Sequence, residues 1–579
     1  MKNYSEIKDG MQIEWNVPVE MDDGIILRAD IFRPAEAGQY PVILSSGPYG
    51  KGLQYQEGYS DSWKLMIEKY PDTAAGTTNK YQNWETVDPE KWVPDGYVVI
   101  RFDCRGAGCS EGYLDVLSPR EIQDLYQCIE WAAAQTWSNG KVGMNGISYY
   151  SICQWLVAGL QPPHLAALCI YEGSNDYYRD QTYHGGIVCD FLPNWYANQV
   201  QTIQHGRGER GHRNPVTGDL VCGDKTLSDK ELKANRADPT QDIISCPLDD
   251  DYYKERSANF EKITVPFLSA GNWGGQGLHL RGNVEGFVRA ASKNKWLEIH
   301  GGEHWTCLYT DDAVKLQKRF LGHYLKGEDN GWDKQPPIQL QVRHVDKFVE
   351  RHENEWPIAR TQWNKLYFDL AANKLVNEPS GKTAKLEFDA LGAGLTFLSA
   401  PFEEETEITG PMAAKLFVSS STADADLFLV FRLFTPDMLE VTFQGANDPR
   451  TPIAQGWLRA SHRKLDPIQS APYRPYHTHD EIQPLEPGVP VELDIEIWPT
   501  CIVVPAGYRV GLSIRGKDYE VAKKTGFKLA HFSNEMLGCG PLVHDDYRHQ
   551  KAEIFSGHTT LHFDAKHISY VLFPVIPAK

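Results

Sequence analysis

Residues 141–150 decide the fold, and they read KVGMNGISYY. A basic turn leads into a short apolar strand, then into Gly146-Ile147-Ser148, and then into a helix-like stretch over residues 151–158. This order of strand, serine and helix is typical of the α/β-hydrolase fold, in which a sharp strained turn lifts the serine Oγ above the sheet. The motif usually has glycine two residues after the serine, where Tyr150 stands here. Ser148 is the candidate nucleophile.

Short apolar runs on both sides of this stretch predict further strands. Residues 22–34 read as a hairpin, because Asp-Gly supplies a turn between alternating apolar residues. Residues 118–121, Ser-Pro-Arg-Glu, form a capping box with proline at the first helical position. Strands that alternate with helices imply a parallel sheet. The remaining apolar runs lie at residues 41–44, 97–102, 165–171, 265–270 and 295–300.

The texture of the chain predicts three parts. Residues 1–175 and 259–344 carry the strand and helix signals of an α/β-hydrolase domain. Residues 176–258 are polar, aromatic and rich in glycine, and they predict an inserted helical cap. Residues 345–579 contain short alternating runs separated by Pro, Gly and Asp, which is typical of an all-β sandwich or jelly roll.

The composition of the 579 residues excludes several classes of protein. A net charge of -19 opposes binding to a nucleic-acid backbone. The 11 cysteines form neither a disulfide framework nor a Cys-x-x-Cys zinc pattern, which favours a reducing compartment. The sequence contains no signal-peptide core and no apolar stretch of membrane-spanning length. We therefore expect a cytoplasmic enzyme that binds neither nucleic acid nor membrane.

The histidine and acid of a catalytic triad follow the serine in the order acid, then histidine. His304 lies on the loop after the last predicted strand, where the general base is expected, and His300 at the strand end is its rival. The preceding loop, residues 271–277, contains no carboxylate. The strand that follows the nucleophile helix ends beside the same histidine, and it carries Glu172. We predict Glu172 as the acid, with Asp176 as the alternative.

A tetrahedral intermediate needs hydrogen-bond donors for its oxyanion. The residue after the nucleophile, Tyr149, offers its backbone N–H. A second donor is expected from the loop after an early strand, residues 45–51, where the Tyr49 hydroxyl is the candidate.

Six stretches together resemble the cocaine esterase-like and Xaa-Pro dipeptidyl-peptidase-like serine hydrolases (CocE/NonD), whose close relatives are the α-amino-acid ester hydrolases. The resemblance covers nearly the whole chain. The C-terminal stretches are Gly-Trp-Leu-Arg-Ala-Ser at 456–461 and Ala-Gly-Tyr-Arg at 506–509, where the family has histidine in place of Tyr508. The N-terminal stretches are residues 23–34, Pro-Tyr-Gly-Lys at 48–51, Asp-Cys-Arg-Gly-Ala-Gly-Cys-Ser-Glu-Gly at 103–112, and residues 143–149 around the serine.

The resemblance implies roles for individual residues. Ser148 matches the nucleophile, His304 the base, and Tyr49 with the Tyr149 N–H the oxyanion hole. Gly274 stands where the family has the triad aspartate. Either Glu172 replaces that aspartate from the neighbouring strand, or the triad is reduced to a dyad.

Other candidate sites are weaker. His477 and His479 are spaced for one face of a strand, but zinc normally needs three or four ligands. Residues 249–251, Asp-Asp-Asp, are interpreted as a solvated acidic turn. We expect no metal and no cofactor.

The predicted function is hydrolysis of a small-molecule ester or amide through an acyl-enzyme. An esterase is favoured, because the hairpin begins near residue 22 and leaves no room for the extra N-terminal domain of the larger dipeptidyl-peptidases. The alternatives are an Xaa-Pro dipeptidyl-peptidase, an α-amino-acid ester hydrolase, or a catalytically impaired binding protein with a hydrolase fold. The oligomeric state, including a homo-oligomer, stays open.

Overall fold

The computed structural model describes residues 2–546 and 548–578. Its first thirteen strands are β1 (Tyr4–Lys8), β2 (Met11–Glu20), β3 (Ile26–Pro34), β4 (Tyr40–Gly47), β5 (Val98–Asp103), β6 (Ser138–Ile147), β7 (Leu165–Tyr171), β8 (Tyr183–His184), β9 (Ile187–Val188), β10 (Phe267–Asn272), β11 (Lys295–His300), β12 (Ile338–Arg343) and β13 (Phe348–Glu353). The remaining strands are β14 (Gln362–Asp369), β15 (Lys374–Val376), β16 (Ala384–Asp389), β17 (Leu395–Leu398), β18 (Thr406–Ser420), β19 (Asp426–Phe434), β20 (Glu440–Val441), β21 (Ala454–Arg459), β22 (Val491–Val504), β23 (Arg509–Arg515), β24 (His558–Phe563) and β25 (Tyr570–Ile576).

The α-helices are concentrated in the first 321 residues. They are α1 (Tyr55–Gly58), α2 (Ser60–Lys69), α3 (Pro89–Trp92), α4 (Pro119–Ala133), α5 (Tyr149–Ala158), α6 (Phe191–Trp195), α7 (Asp229–Ala234), α8 (Pro239–Ser245), α9 (Asp251–Lys254), α10 (Leu280–Arg289), α11 (Asp311–Leu321) and α12 (Ala552–Phe555). Short 3₁₀ turns lie at Pro71–Ala74, Val93–Asp95, Gln201–Ile203, Gly208–Arg210, Phe260–Lys262, Cys307–Tyr309, Trp332–Lys334 and Ala460–His462, and π turns at Tyr177–Thr182, Tyr196–Val200 and Gly322–Lys326. Within residues 2–546 and 548–578, no helix combines the length and apolar character needed to cross a membrane.

An eleven-stranded sheet forms the N-terminal part, in the order β1-β2-β3-β5-β4-β6-β7-β10-β11-β12-β13. The pairings from β5 through β12 are parallel, and the outer strands are antiparallel. Crossover helices such as α4 and α5 cover the parallel strands, as parallel topology requires. The loops that follow parallel strands therefore meet at one edge, where ligands bind in such sheets.

The predicted strands around the nucleophile are confirmed, and the runs at 41–44 and 142–144 extend at both ends into β4 and β6. Ser118 caps α4 as predicted, since its Oγ accepts the amide of Glu121 at 3.3 Å. The Glu121 carboxylate accepts the Leu117 amide instead of closing the predicted box. The predicted boundary at residue 345 falls between β12 and β13, and β13 still pairs with the first sheet.

The segment between β7 and β10 is an insertion of short helical pieces together with a two-stranded ribbon, β8–β9, that the sequence did not predict. The C-terminal part is all-β, with twelve strands in one connected sheet system. Its core is separate from that of the first sheet. A third apolar cluster joins the two parts, and it includes Trp273, Leu280, Trp457 and Trp498. The C-terminal part is therefore packed directly against β10 and α10.

Candidate active site

Ser148 occupies the turn between β6 and α5. Its backbone has φ 54° and ψ −114°, in the positive-φ region that side chains rarely adopt. Its amide donates to the carbonyl of Tyr171 at 3.1 Å, which holds the turn against the neighbouring strand. The turn thus raises Oγ at the edge where the loops of the parallel strands meet.

The replacement of the usual second glycine by Tyr150 has a steric explanation. A Cβ on Gly47 would lie 2.7 Å from the Tyr150 ring, and a Cβ on Gly146 would lie 2.6 Å from Tyr150 Cβ. Glycines on β4 and β6 therefore leave the space that the tyrosine fills. The elbow is kept although the sequence motif is incomplete.

The histidine hydrogen-bonded to the serine is His279, which the sequence did not predict. Ser148 Oγ lies 3.1 Å from Nε2 of His279, whereas Nε2 of His304 faces Oε1 of Glu85 at 3.0 Å. The His279 and His304 rings stack with centroids 5.2 Å apart and an interplanar angle of 12°. The expected hydrogen bond between Ser148 and His304 is thus absent. Ser148 contacts His279, His304 contacts Glu85, and the two imidazole rings stack on each other.

The tautomer of His279 follows from its second contact. The Ser174 amide donates to Nδ1 of His279 at 3.2 Å, so a neutral His279 carries its proton on Nε2. Burial, and then the charge of His304, holds the pKa of His279 well below its usual range. His279 therefore donates to Ser148 Oγ in this arrangement, and its Nε2 has no free lone pair for the serine proton.

Glu172 lies at the tip of β7, and the structure brings it to His304. Its Oε2 is 2.7 Å from Nδ1 of His304, and its Oε1 accepts from Asn272 Nδ2 at 3.1 Å. Burial would raise the pKa of Glu172, but the imidazoles of His304 and His300 outweigh burial and hold it well below its usual range. The carboxylate is thus ionised, and it fixes the Nδ1–H tautomer of His304.

The other predicted acid and base candidates lie elsewhere. His300 is held between Glu172 Oε1 at 3.3 Å and Glu298 Oε2 at 2.7 Å. Asp176 contacts Arg179 instead of a catalytic-site histidine, with Oδ2 3.0 Å from Nη1. Asp249, from the predicted solvated acidic turn, also accepts from Arg179 at 2.8 Å. Both aspartates are therefore ion-paired at the base of the insertion.

Gly274 explains the missing aspartate. A Cβ at this position would lie 2.5 Å from Cα of Gly445 and 2.8 Å from the amide of Ala446. These are backbone atoms of the C-terminal part, and they cannot rotate away. Packing thus excludes a side chain at this position, and the carboxylate that contacts Nδ1 of His304 comes from Glu172 at the end of β7.

Glu85 is the second residue that the sequence did not predict. Its backbone has φ 61°, and its carbonyl accepts the amide of Ile147 at 3.0 Å, one residue before the serine. Burial raises the pKa of Glu85 to about 7, although His304 opposes the shift. Burial lowers the pKa of His304, but Glu172 and Glu85 together outweigh burial and raise it to about 10. No local motif marks Glu85, because it lies in an irregular segment between α2 and α3.

Tyr49 and Tyr149 both line the cavity beside Ser148. The Trp195 indole N–H donates to the Tyr49 hydroxyl oxygen at 2.9 Å, which leaves the hydroxyl proton of Tyr49 available as a donor. Burial raises the pKa of Tyr49 well above its usual range, so the proton is retained. The Tyr149 amide is at the first position of α5, where an intrahelical acceptor is lacking.

The cavity beside Ser148 is small, about 20 Å³, which is room for about one water molecule. Its walls come from the sheet edge and from α6 of the insertion. The apolar residues that line it are Leu117, Ile152, Phe191, Leu192, Trp195 and Leu278.

The predicted histidine pair of the C-terminal part lies away from this cavity. His477 and His479 are buried, with ring centroids 5.8 Å apart, and Nδ1 of His479 is 3.1 Å from Nδ1 of His462.

A serine raised on a strained strand-to-helix turn at the edge of a parallel sheet, with histidines beside it, is the arrangement of a serine hydrolase. Residues 23–306 match the family described as X-Pro dipeptidyl-peptidase (S15 family), and residues 330–572 match the X-Pro dipeptidyl-peptidase C-terminal non-catalytic domain. The second match begins before β12, so it includes the last two strands of the first sheet.

Known proteins extend the similarity over the whole chain. A solved CocE/NonD family hydrolase from Staphylococcus aureus is 30% identical with a TM-score of 0.83, covering 98% of this chain and 94% of that one. The cocaine esterase of a Rhodococcus species is 23% identical over 97% of this chain and 98% of its own length. A putative serine esterase of Mycobacterium bovis is 23% identical over 91% and 92%. The chain belongs to the CocE/NonD family of hydrolases.

Proposed function

We propose that this protein is a serine esterase that cleaves a small-molecule ester through an acyl-enzyme formed on Ser148. The observation that carries the proposal is the placement of Ser148 Oγ, which lies on a strained turn, contacts a histidine and lines an apolar cavity next to Tyr49. A serine hydroxyl is a weak nucleophile, and it needs an adjacent base and an oxyanion site to react.

His304 is the proposed general base, with Glu172 as its acid. Nδ1 of His304 is bound to the ionised carboxylate of Glu172. Nε2 is therefore the atom that can take the Ser148 proton, once the contact between Nε2 and Glu85 is broken. As the Oγ–C bond forms, this proton moves to Nε2, and it is later donated to the leaving group. Glu172 stabilises the imidazolium. His279 instead orients the serine through its Nε2–H.

The Tyr49 hydroxyl and the Tyr149 amide are the proposed oxyanion donors. Both residues line the cavity that contains Ser148, and the hydrogen bond from Trp195 holds the phenol of Tyr49 in place. A hydroxyl that donates in a dry site stabilises the developing charge more than it would in water.

The substrate class is inferred from the cavity walls. Six apolar side chains favour an uncharged acyl group. The family description points instead to Xaa-Pro peptides, and a peptidase of that kind must bind a charged α-amino group. Among the described residues, the cavity lining contains no carboxylate, which favours the ester over the peptide.

The finer architecture is part of the proposal. We infer that residues 176–258 act as a cap whose α6 forms one wall of the cavity, with residues 1–175 and 259–344 as the catalytic domain. Residues 345–579 form the proposed jelly roll, and its Ala446 carbonyl accepts the His304 amide at 2.9 Å. The C-terminal domain would thereby hold the catalytic histidine in place.

The test is hydrolysis of p-nitrophenyl acetate, p-nitrophenyl butyrate and an Xaa-Pro-p-nitroanilide, together with labelling by a fluorophosphonate. Ser148→Ala should lose both hydrolysis and labelling. Glu172→Gln and His304→Asn should lower kcat by up to ~10⁴-fold, because the base loses its orientation or is absent. The matched control is Asp176→Asn, which should keep kcat within about tenfold of the wild type.

His279→Asn separates the two histidines. It should cost much less than His304→Asn, because its proposed part is to orient Oγ. A larger loss in His279→Asn than in His304→Asn would refute the assignment of the base. Faster turnover of the p-nitroanilide than of either ester would replace the esterase with the peptidase.

A further inference from the structure

Three buried residues at the contact between the insertion and the C-terminal part direct ligand atoms at one another. They are His184 on β8, Cys189 directly after β9, and His544 in the loop before α12. One nitrogen from each histidine and the cysteine sulfur all lie within 4.8 Å of one another. None of the three lines the cavity at Ser148, and the proposed reaction uses none of them.

The tautomer of His544 is set by Asp518. Its Nδ1 lies 2.9 Å from Oδ1 of Asp518, and its backbone amide donates to Oδ2 of the same carboxylate at 2.6 Å. An ionised carboxylate only accepts hydrogen bonds, so Nδ1 of His544 carries the proton. The lone pair of a neutral His544 is therefore on Nε2, which faces His184.

The tautomer of His184 is set from the other side. Its Nε2 faces the carbonyl oxygen of Asp180 at 3.4 Å, and a carbonyl also only accepts. The lone pair of a neutral His184 is therefore on Nδ1, which lies 2.7 Å from Nε2 of His544. Two lone pairs repel each other at this distance, so the contact needs either a proton between the two nitrogens, which the Nδ1–H tautomer of His184 would also supply, or a metal ion.

Cys189 distinguishes a metal site from a simple proton-sharing pair. The ribbon pairs Tyr183 with Val188, and the Cys189 amide donates to the Thr182 carbonyl at 2.8 Å, which places the sulfur on the histidine side. Two imidazoles and a thiolate form a ligand set that suits Zn²⁺, with a fourth position left for water. Asp518 behind His544 is the outer carboxylate that metal-bound histidines commonly have.

We propose that His184, Cys189 and His544 bind a divalent transition-metal ion, with Zn²⁺ as the ion that their chemistry favours. Tetrahedral coordination at Zn–N of about 2.0–2.1 Å separates the two nitrogens by roughly 3.3 Å, so the histidine nitrogens, now 2.7 Å apart, must move apart by about 0.6 Å. Binding displaces the thiol proton of Cys189 and the proton shared by the histidines into solvent.

The ion would join the insertion to the C-terminal part next to the wall of the Ser148 cavity. Backbone bonds already align these segments, because the Asp190 amide donates to the Val543 carbonyl at 2.8 Å and the Asp545 amide to Asp190 Oδ2 at 3.1 Å. Helix α6 begins one residue after Asp190, and its Leu192 lines the cavity. A metal on Cys189 would therefore fix the start of this helix.

The test uses the full-length protein after removal of metal by a chelator. Titration with Co²⁺ as a spectroscopic substitute should give one equivalent bound and a thiolate-to-cobalt charge-transfer band, and Zn²⁺ should displace it. Zn²⁺ should also raise the Tm of the wild type, because it binds the folded state alone. The absence of a charge-transfer band would overturn the proposal.

Variants locate the site. Cys189→Ser should lose the charge-transfer band, and His544→Ala should lose binding of Co²⁺. The Tm of each variant, measured in the presence of chelator, shows whether the variant is folded. The matched control is Cys246→Ser, a partly exposed cysteine of the same insertion, which should keep the band. A band that persists in Cys189→Ser would place the metal elsewhere and refute the assignment. If His544→Ala does not fold, His544→Gln replaces it in the same titration.

Discussion

At the scale of single residues, Glu85 and Ser148 compete for Nε2 of His304, the proposed base. Its Oε1 holds Nε2 of His304 at 3.0 Å, so the proposed base is bound to a carboxylate on each side. An imidazole between two carboxylates is stabilised as imidazolium, and an imidazolium cannot take a proton. Activity should therefore need a pH at which His304 gives up its charge.

Replacement of Glu85 by glutamine should move the activity toward lower pH. The change removes one of the two carboxylates that raise the pKa of His304 to about 10, so that pKa falls. The acidic limb of the kcat/KM profile should then shift down by about 1–3 pH units, as expected for the loss of one nearby opposite charge. The profile for p-nitrophenyl acetate between acidic and alkaline pH measures the shift.

Glu303→Gln is the matched control for that profile. Glu303 is adjacent to His304 in sequence, but its carboxylate pairs with Lys69. Its replacement should leave the acidic limb in place. An unmoved limb in Glu85→Gln would mean that His304 is not the group whose ionisation limits activity.

Some candidate site residues could be predicted, because their position in the chain predicts their position in space. Ser148, His304 and Glu172 follow buried strands, and strand ends meet at one edge of a parallel sheet. His279 and Glu85 follow no such rule. His279 stands at the start of α10 after a glycine-rich loop, and Glu85 reaches the site through a loop packed on β6, so only tertiary packing reveals them.

At the scale of elements, the loop after β10 is shaped by the C-terminal part. Introducing an aspartate with Gly274→Asp should lower the stability by about 1–3 kcal/mol or more, because its Cβ would overlap the backbone of Gly445. It should also lower kcat, because Ala446 of the same segment holds the His304 amide. Thermal unfolding and ester hydrolysis measure the two effects.

Gly271→Ala, on the strand β10 that precedes this loop, is the control. A Cβ there meets side-chain atoms of Asn283 and Leu280 at 3.3 Å, which can adjust. Its loss of stability should be smaller than that of Gly274→Asp. Equal losses would show that the backbone contact with Gly445 is not the cause.

Elements were predictable where the hydrophobic period was long enough to read. Several apolar residues at the expected spacing mark each of the buried strands β4, β5 and β7 and the capped helix α4. The β8–β9 ribbon has two residues in each strand, which is too short for any period. Its glycine turn instead fits the C-terminal part, since a Cβ on Gly185 would lie 2.1 Å from the Trp457 carbonyl oxygen.

At the scale of the whole molecule, the same charge cluster predicts how stability varies with pH. His304 has a raised pKa of about 10, so its contribution is complete below its unfolded value near 6.5 and is lost as the pH rises toward 10. Glu172 has a lowered pKa, so its contribution is present above its unfolded value near 4.3 and is lost as the pH falls. Chemical denaturation across this range measures both slopes.

The variant His304→Asn should flatten the alkaline decline between about pH 6.5 and 10 relative to the wild type. His212→Asn, at an exposed surface histidine, is the control and should keep the wild-type slope. An unchanged slope in His304→Asn would contradict the buried ion pair as its origin.

Contacts between the C-terminal part and the rest of the chain were beyond sequence reasoning. The His184–His544 contact joins residues 360 positions apart, and no spacing rule connects them. The same holds for Ala446 and His304. The two-part architecture was predictable from composition and period, but the surfaces by which the parts meet depend on packing.

The small volume of the cavity at Ser148 has a consequence for substrate binding. A space of about 20 Å³ admits a water molecule but no acyl group, so the described conformation is one that substrate cannot occupy. An acyl group therefore needs a conformation with a wider cavity, and the apparent affinity for substrate is weakened by the reciprocal of the fraction of molecules in that conformation. Because α6 forms one wall of the cavity, a substitution that loosens its packing should lower the KM for p-nitrophenyl esters without altering Ser148, His304 or Glu172.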